Sequence, residues 1–133
     1  MLTYWIQKAD LSTAVEDEVV TSASLVLSAF DNFDWQAELN NFEQLGAKGV
    51  ENCPPGLGVV RPNGVILHLC PNSDESVMAF WHHKVPSKLL GFINSTRIET
   101  TTVENLELKI AREAINRFIK GDDEWLIRNF KDN

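Results

Sequence analysis

The sequence has few of the features that stabilise or anchor a protein by special means. Only two of its 133 residues are cysteines, Cys53 and Cys70, which is too few for a disulfide framework. No apolar run approaches the roughly 18 residues that a membrane-spanning helix requires. The first eight residues lack a basic segment followed by an apolar one, so they do not predict secretion. The sequence therefore predicts a cytoplasmic protein.

Basic residues are scarce in the first part of the chain. Residues 1–57 contain nine acidic residues against two lysines, and this segment accounts for the whole formal net charge of −7. A negative field repels phosphate backbones and anionic lipids, which argues against nucleic acid and membrane partners. The same field attracts a basic protein and accelerates its association. The charge therefore favours a basic protein as the partner.

Hydrophobic periodicity predicts one strand and two helices near the start of the chain. Residues 3–7 are rich in aromatic and β-branched types, which predicts a short strand. Thr13-Ala-Val-Glu16 matches a capping box and precedes apolar residues at helical spacing, so a helix is expected over residues 12–30. Asp34 is a good N-cap for a second helix that ends near Gly46.

The period changes to that of strands after a loop rich in glycine and proline. A β-hairpin is predicted for residues 58–61 and 65–70, because Pro62-Asn-Gly64 between them is a strong turn sequence. A third strand is predicted for residues 76–83, and Pro86 is expected to end it.

The last third of the chain combines an ambiguous segment with a helix. Residues 88–100 fit either a hairpin, in which residues 89–93 pair with residues 96–100, or a helical turn at residues 89–93. A second capping box, Thr101-Thr-Val-Glu104, predicts a helix from there to Lys120. A final turn or two of helix is expected after Asp122.

These elements predict a single α+β domain over residues 1–133. Hydrophobic residues make up 44% of the chain and charged residues 23%, as in ordinary globular proteins. Strands joined by short turns form antiparallel sheets, and helices then cover one face. We expect an antiparallel sheet of three to five strands, with N-terminal and C-terminal helices packed mainly on one face.

No residue pattern indicates a catalytic, phosphate-binding or metal site. The GxxxxGK[ST], GxGxxG and GxSxG patterns do not occur. The spacings of the soft metal ligands match no common zinc site, so neither a metal nor a cofactor is expected. Cys70 is followed closely by Asp74 and Glu75, which would raise its pKa rather than activate it. The soft ligands are Cys53, His68, Cys70, His82 and His83.

The first hypothesis is therefore a non-enzymatic protein-binding domain. Four tryptophans are a surplus of a side chain that is common in cores and in interface hot spots. Because Phe80 and Trp81 point to opposite faces of one strand, one of them faces away from the helices. Immunity proteins that neutralise a basic bacterial nuclease toxin are similar in overall composition, which is analogy alone. The predicted partner-binding residues are Glu16, Asp17, Glu18, Asp31, Asp34, Glu38 and Trp81.

The second hypothesis is a small enzyme or ligand-binding domain with a pocket on the sheet. Its predicted lining is His68, Cys70, Trp81 and His83. His68 and Cys70 are two residues apart on a strand and therefore share a face. This hypothesis predicts a concave pocket and shifted histidine pKa values, whereas the first predicts charge-dependent binding without turnover.

Overall fold

The computed structural model describes residues 1–89 and 93–131. One antiparallel sheet lies at the centre of the fold. The strands are β1 (Thr3–Gln7), β2 (Thr13–Val19), β3 (Gly56–Val60), β4 (Ile66–Pro71), β5 (Val77–Leu89) and β6 (Ile93–Leu106). They lie in the order β2-β1-β3-β4-β5-β6. The helices are α1 (Ala23–Asn32), α2 (Trp35–Ala47), α3 (Leu108–Lys120) and α4 (Asp123–Asn129). Within the described ranges, no helix is long and apolar enough to cross a membrane.

The core lies between one face of the sheet and the helices α1, α3 and α4. Alternate strand residues point to this face, so Leu57, Val59 and Leu67 are fully buried. Phe30 of α1 and Phe118 of α3 belong to the same apolar cluster. Removal of this surface from water is the main stabilising term of the fold. The opposite face of the sheet is called the open face below.

The predicted number of strands and the predicted placement of the helices are wrong. The described residues form six strands rather than three to five. Helices α1 and α2 connect β2 to β3 and are therefore not N-terminal. The connection crosses β1, because β1 lies between these two strands in the sheet.

The error arises in residues 12–30, which were expected to form one helix. The first part of this segment is β2, in which the β-branched residues Val15 and Val19 pair with β1. The helix begins only after Ser22, whose side chain accepts a hydrogen bond of 3.2 Å from the backbone N–H of Leu25. A β-branched segment beside a partner strand overrides the capping-box pattern.

The second capping box is wrong for the same reason. Residues 101–104 continue β6, where Thr101 pairs with Trp81 and Thr102 with Phe80. Threonine and valine suit a pleated surface, and the neighbouring strand is in place to pair with them. Helix α3 begins at Leu108, without a side-chain cap.

Strands β5 and β6 form one long hairpin, so the predicted pairing of residues 89–93 with 96–100 is also wrong. Residues 96–100 pair instead with residues 82–86 of β5. The alternative helical turn falls partly on residues 90–92, which lie outside the described residues.

Strand β5 also continues past Pro86, where it was expected to end. The last pair between β4 and β5 joins Ile66 to His82. Beyond His82, β5 pairs only with β6, so the missing N–H of Pro86 removes no hydrogen bond to β4.

The predicted hairpin around Pro62-Asn-Gly64 is confirmed. Strands β3 and β4 pair in antiparallel register, and the backbone N–H of Arg61 donates to the carbonyl of Val65 at 2.9 Å. Gly64 has a φ of 89°, which glycine adopts without strain. The side chain of Asn63 accepts a hydrogen bond of 3.1 Å from the Val65 N–H.

Candidate functional site

A row of aromatic rings crosses the open face of the sheet. The strand register aligns Trp5 of β1, Gly58 of β3, His68 of β4 and Phe80 of β5. The ring centroids of Trp5 and His68 are 4.9 Å apart, and those of His68 and Phe80 are 5.6 Å apart. All three rings remain partly exposed, because the helices pack on the other face. Trp5, His68 and Phe80 are called the aromatic row below.

Gly58 allows the row to form, because the Trp5 ring lies directly over its Cα. A Cβ atom at position 58 would lie 2.2 Å from Cζ2 and 2.3 Å from Cε2 of Trp5. Such distances are far inside van der Waals contact, so only glycine fits beneath the ring.

We expect Gly58→Ala to lower the free energy of unfolding by about 1–3 kcal/mol, because the new methyl group displaces Trp5. Urea denaturation measures the change. The control is Gly46→Ala in α2, where a Cβ atom would meet only Asn52 Nδ2, at 3.8 Å. Alanine favours a helix over glycine, so the control should lose no stability. Equal losses in the two variants would contradict this account of Gly58.

A groove of about 370 Å³ lies beside the aromatic row. Its walls come from β4 and β5 on one side, and from Gln7 of β1 and the Cys53-Pro54 segment on the other. The residues from β4 and β5 are His68, Cys70, Phe80 and His82. The lining thus contains rings, two thiols and one amide, and none of its members is Asp, Glu, Lys or Arg.

His68 and Cys70 are neighbours in the groove and form a neutral pair. Cys70 Sγ lies 3.3 Å from His68 Nε2. Burial, together with His82 nearby, lowers the pKa of His68 to about 4. Burial, together with Cys53 nearby, raises the pKa of Cys70 to about 12. At pH 7 the pair is an imidazole and a thiol, and not the imidazolium and thiolate of a nucleophilic cysteine site.

Two of the predicted partner-binding acids lie at the end of the aromatic row. The register between β1 and β2 shifts between Tyr4, which pairs with Glu18, and Ile6, which pairs with Val15, because β2 contains one extra residue there. Trp5 therefore lies opposite both Glu16 and Asp17. Asp17 has a φ of 42°, a left-handed conformation found in such bulges. Both residues are exposed, and they are called the acidic bulge below.

The other four predicted acids are held by hydrogen bonds within the fold, each of 3.0 Å. Glu18 accepts from the Tyr4 hydroxyl, Asp31 pairs with Arg112, Asp34 caps α2 through the Ala37 N–H, and Glu38 accepts from the Ala9 N–H. These interactions use Asp31, Asp34 and Glu38 to position the helices. Among the predicted acids, the strand register therefore places only Glu16 and Asp17 beside Trp5, because Glu18 pairs with the core residue Tyr4.

The predicted alternative pocket is divided between the two faces of the sheet. His68 and Cys70 line the groove on the open face. Trp81 and His83 lie on the helix-covered face, stacked with ring centroids 3.9 Å apart, beside a separate cavity of about 400 Å³ next to α4. Trp81 is only 3% exposed and is therefore not accessible to a partner. Of the neighbours Phe80 and Trp81, Phe80 is the one on the open face.

Sequence reasoning missed Trp5 and Gly58 as members of the candidate site. The alternation of residues 3–7 places Trp5 on the face opposite Tyr4 and Ile6, which is a signal that the sequence contains. The pairing of β1 with β3 brings Trp5 over Gly58, and no local pattern predicts that pairing.

Comparisons with known proteins do not identify a family for the chain. No family model, curated protein or solved structure matches it. In the described part of the chain, no group of three or more His, Cys, Asp or Glu residues is arranged to hold a metal ion. The proposals below therefore rest on the geometry and charge of the open face.

Proposed function

We propose that this chain is a non-enzymatic protein-binding domain that recognises a basic protein through its open face. The observation that carries the proposal is the position of the acidic bulge, Glu16 and Asp17, directly opposite Trp5 at the end of the aromatic row. Exposed carboxylates beside partly exposed aromatic rings suit a partner with both cationic and apolar side chains.

The aromatic row extends across several strands of the open face. From Trp5 on β1 to Phe80 on β5 it crosses three strand spacings, roughly 14 Å. Partly exposed aromatic side chains of this kind supply much of the binding energy at protein interfaces. A partner arginine over Trp5 would make a cation–π contact while pairing with a carboxylate of the bulge.

The charge of the chain supports a basic partner. Of the nine acids in residues 1–57, Asp31 has an ion-pair partner among the described residues, Arg112. The remaining acids leave a negative field that steers a positive protein toward this end of the sheet. An inhibitor of a basic nuclease is one protein of this kind. A reducing, cytoplasmic compartment accords with the two free cysteines.

The test is to capture the partner and measure how its affinity depends on the acidic bulge. The immobilised chain is incubated with lysate of the source cells, and the retained proteins are identified by mass spectrometry and purified. Neutralising the bulge with Glu16→Gln and Asp17→Asn should weaken binding about threefold to tenfold, because two exposed ion pairs are lost. Asparagine tolerates the left-handed backbone of position 17, so folding is preserved.

The matched control neutralises two exposed acids at the starts of α3 and α4, Glu107→Gln and Glu124→Gln. This variant has the same net charge as the bulge variant and should bind within about twofold of the unmodified chain at physiological salt, since distant exposed charges are screened. Equal weakening in both variants would show a general charge effect. A partner that binds both variants as tightly as the unmodified chain would contradict the proposal.

A further inference from the structure

We propose that the groove beside the aromatic row receives an uncharged aromatic side chain of the partner. This inference rests on the proposed function and specifies the chemistry of the partner's anchor residue. The groove then forms the apolar centre of the interface, and the acidic bulge forms part of its charged rim.

The lining of the groove excludes a charged anchor. Gln7, Cys53 and Cys70 contribute an amide and two thiols, and His68 is a neutral imidazole because partial burial, with His82 nearby, lowers its pKa. A carboxylate or ammonium group would lose water here without meeting an Arg, Lys, Asp or Glu side chain of the lining, which is unfavourable. Cationic side chains of a basic partner therefore belong at the acidic bulge, and an uncharged side chain belongs in the groove.

The shape of the groove favours an aromatic ring over an aliphatic side chain. His68, Phe80 and His82 form a continuous set of rings, in which Phe80 and His82 are nearly parallel, with an interplanar angle of 9°. An incoming ring can stack on them or meet them edge to face, both of which are favourable geometries. A volume of about 370 Å³ lies within the usual range of ligand pockets and exceeds the size of one ring.

The groove is continuous with the surface of the proposed interface. Gln7 lies two residues from Trp5 on the same strand and the same face, and His68 belongs to both the groove and the aromatic row. A partner that covers Trp5 therefore also covers the mouth of the groove. An apolar centre beside a charged rim is the usual anatomy of a protein interface.

The first test uses side-chain analogues as probes, so it does not require the partner. p-Cresol represents tyrosine, and n-butylammonium represents lysine. In ¹H–¹⁵N correlation spectra, p-cresol should shift the amide signals of Cys53, His68 and Phe80 with a Kd on the order of millimolar, as expected for a fragment of this size. n-Butylammonium should leave these signals unchanged. Equal shifts with the two probes, or none with p-cresol, would overturn the inference.

The second test fills the groove. Gln7→Trp places a ring in it, and the matched control Thr3→Trp adds a ring to the same strand and face outside its lining. Gln7→Trp should abolish the p-cresol shifts, whereas Thr3→Trp should retain them. If Gln7→Trp does not fold, Phe80→Leu replaces it, and the loss of one ring should weaken p-cresol binding at least threefold.

The purified partner separates this inference from the proposed function. If the inference holds, the partner binds the Thr3→Trp variant at least tenfold more tightly than the Gln7→Trp variant. Suppose that the partner binds both variants equally but binds the acidic-bulge variant more weakly. This result would overturn the inference about the groove and leave the proposal of a basic partner standing. If the groove binds p-cresol but no partner shows binding that depends on charge, the proposed function is refuted. Self-association that Gln7→Trp abolishes would identify a second copy as the occupant and overturn the inference.

Discussion

Phe118→Ala is expected to lower the free energy of unfolding by about 3–5 kcal/mol, the cost of truncating a fully buried phenylalanine. Phe118 is 0% exposed and packs between α3 and the sheet. The guanidinium of Arg61 lies 4.1 Å from the centre of its ring and donates a 3.0 Å hydrogen bond to its carbonyl. Truncation therefore leaves a cavity and removes the ring against which the Arg61 side chain packs. Denaturation in guanidinium chloride measures the resulting loss of stability.

The control for this prediction is Ile127→Ala in α4. Ile127 is 61% exposed, so its truncation should change stability by less than about 0.5 kcal/mol. Arg112→Ala breaks an exposed ion pair with Asp31 and should cost between about 0.2 and 1 kcal/mol. If Ile127→Ala were as destabilising as Phe118→Ala, the assignment of the core to this face would be wrong.

The second large effect is a loss of stability on mild acidification, caused by His68. Burial, with His82 nearby, lowers its pKa from 6.5 to about 4. Between these two values the unfolded chain binds a proton that the folded chain does not, so stability falls as the pH falls. One proton corresponds to about 1.4 kcal/mol per pH unit, or up to about 3 kcal/mol over the whole interval. Urea denaturation at pH 7, 6 and 5 measures the slope.

The comparison variant is His68→Phe, which keeps a ring in the aromatic row but cannot titrate. Its stability should depend much less on pH between 7 and 5 than that of the unmodified chain. Asp10, Asp74 and Asp122 have lowered pKa values because of hydrogen bonds to their carboxylates, so their contributions are lost only at lower pH. An unchanged slope in His68→Phe would assign the effect to other groups.

Local patterns predicted the elements whose structure depends on nearby residues. The turn at Pro62-Asn-Gly64 and the N-cap of α2 at Asp34 are examples, because each is specified within a few positions. Both capping-box patterns were misleading, since Thr13 and Thr101 belong to segments rich in β-branched residues beside a partner strand. Strand pairing is a contact between distant parts of the chain, and a local pattern does not contain it.

The candidate site was predictable only in part for the same reason. The alternation rule correctly separates Phe80 from Trp81, but it does not say which of them faces the helices. His68 and Cys70 were expected to share a face, and the structure places them together in the groove. Their proximity to Trp5 follows from the order of β1, β3 and β4 in the sheet, which short sequence patterns do not encode.

The bulge in β2 also determines how another protein can approach the sheet. β2 is an outermost strand, and unpaired backbone groups on such a strand commonly recruit a further strand or promote aggregation. The register shifts and the left-handed residue Asp17 interrupt the regular hydrogen-bonding line, and adjacent carboxylates repel a second copy. Growth of the sheet by addition of a strand is therefore discouraged on this side, and a basic partner of the kind proposed above would have to approach the face of the sheet rather than its edge.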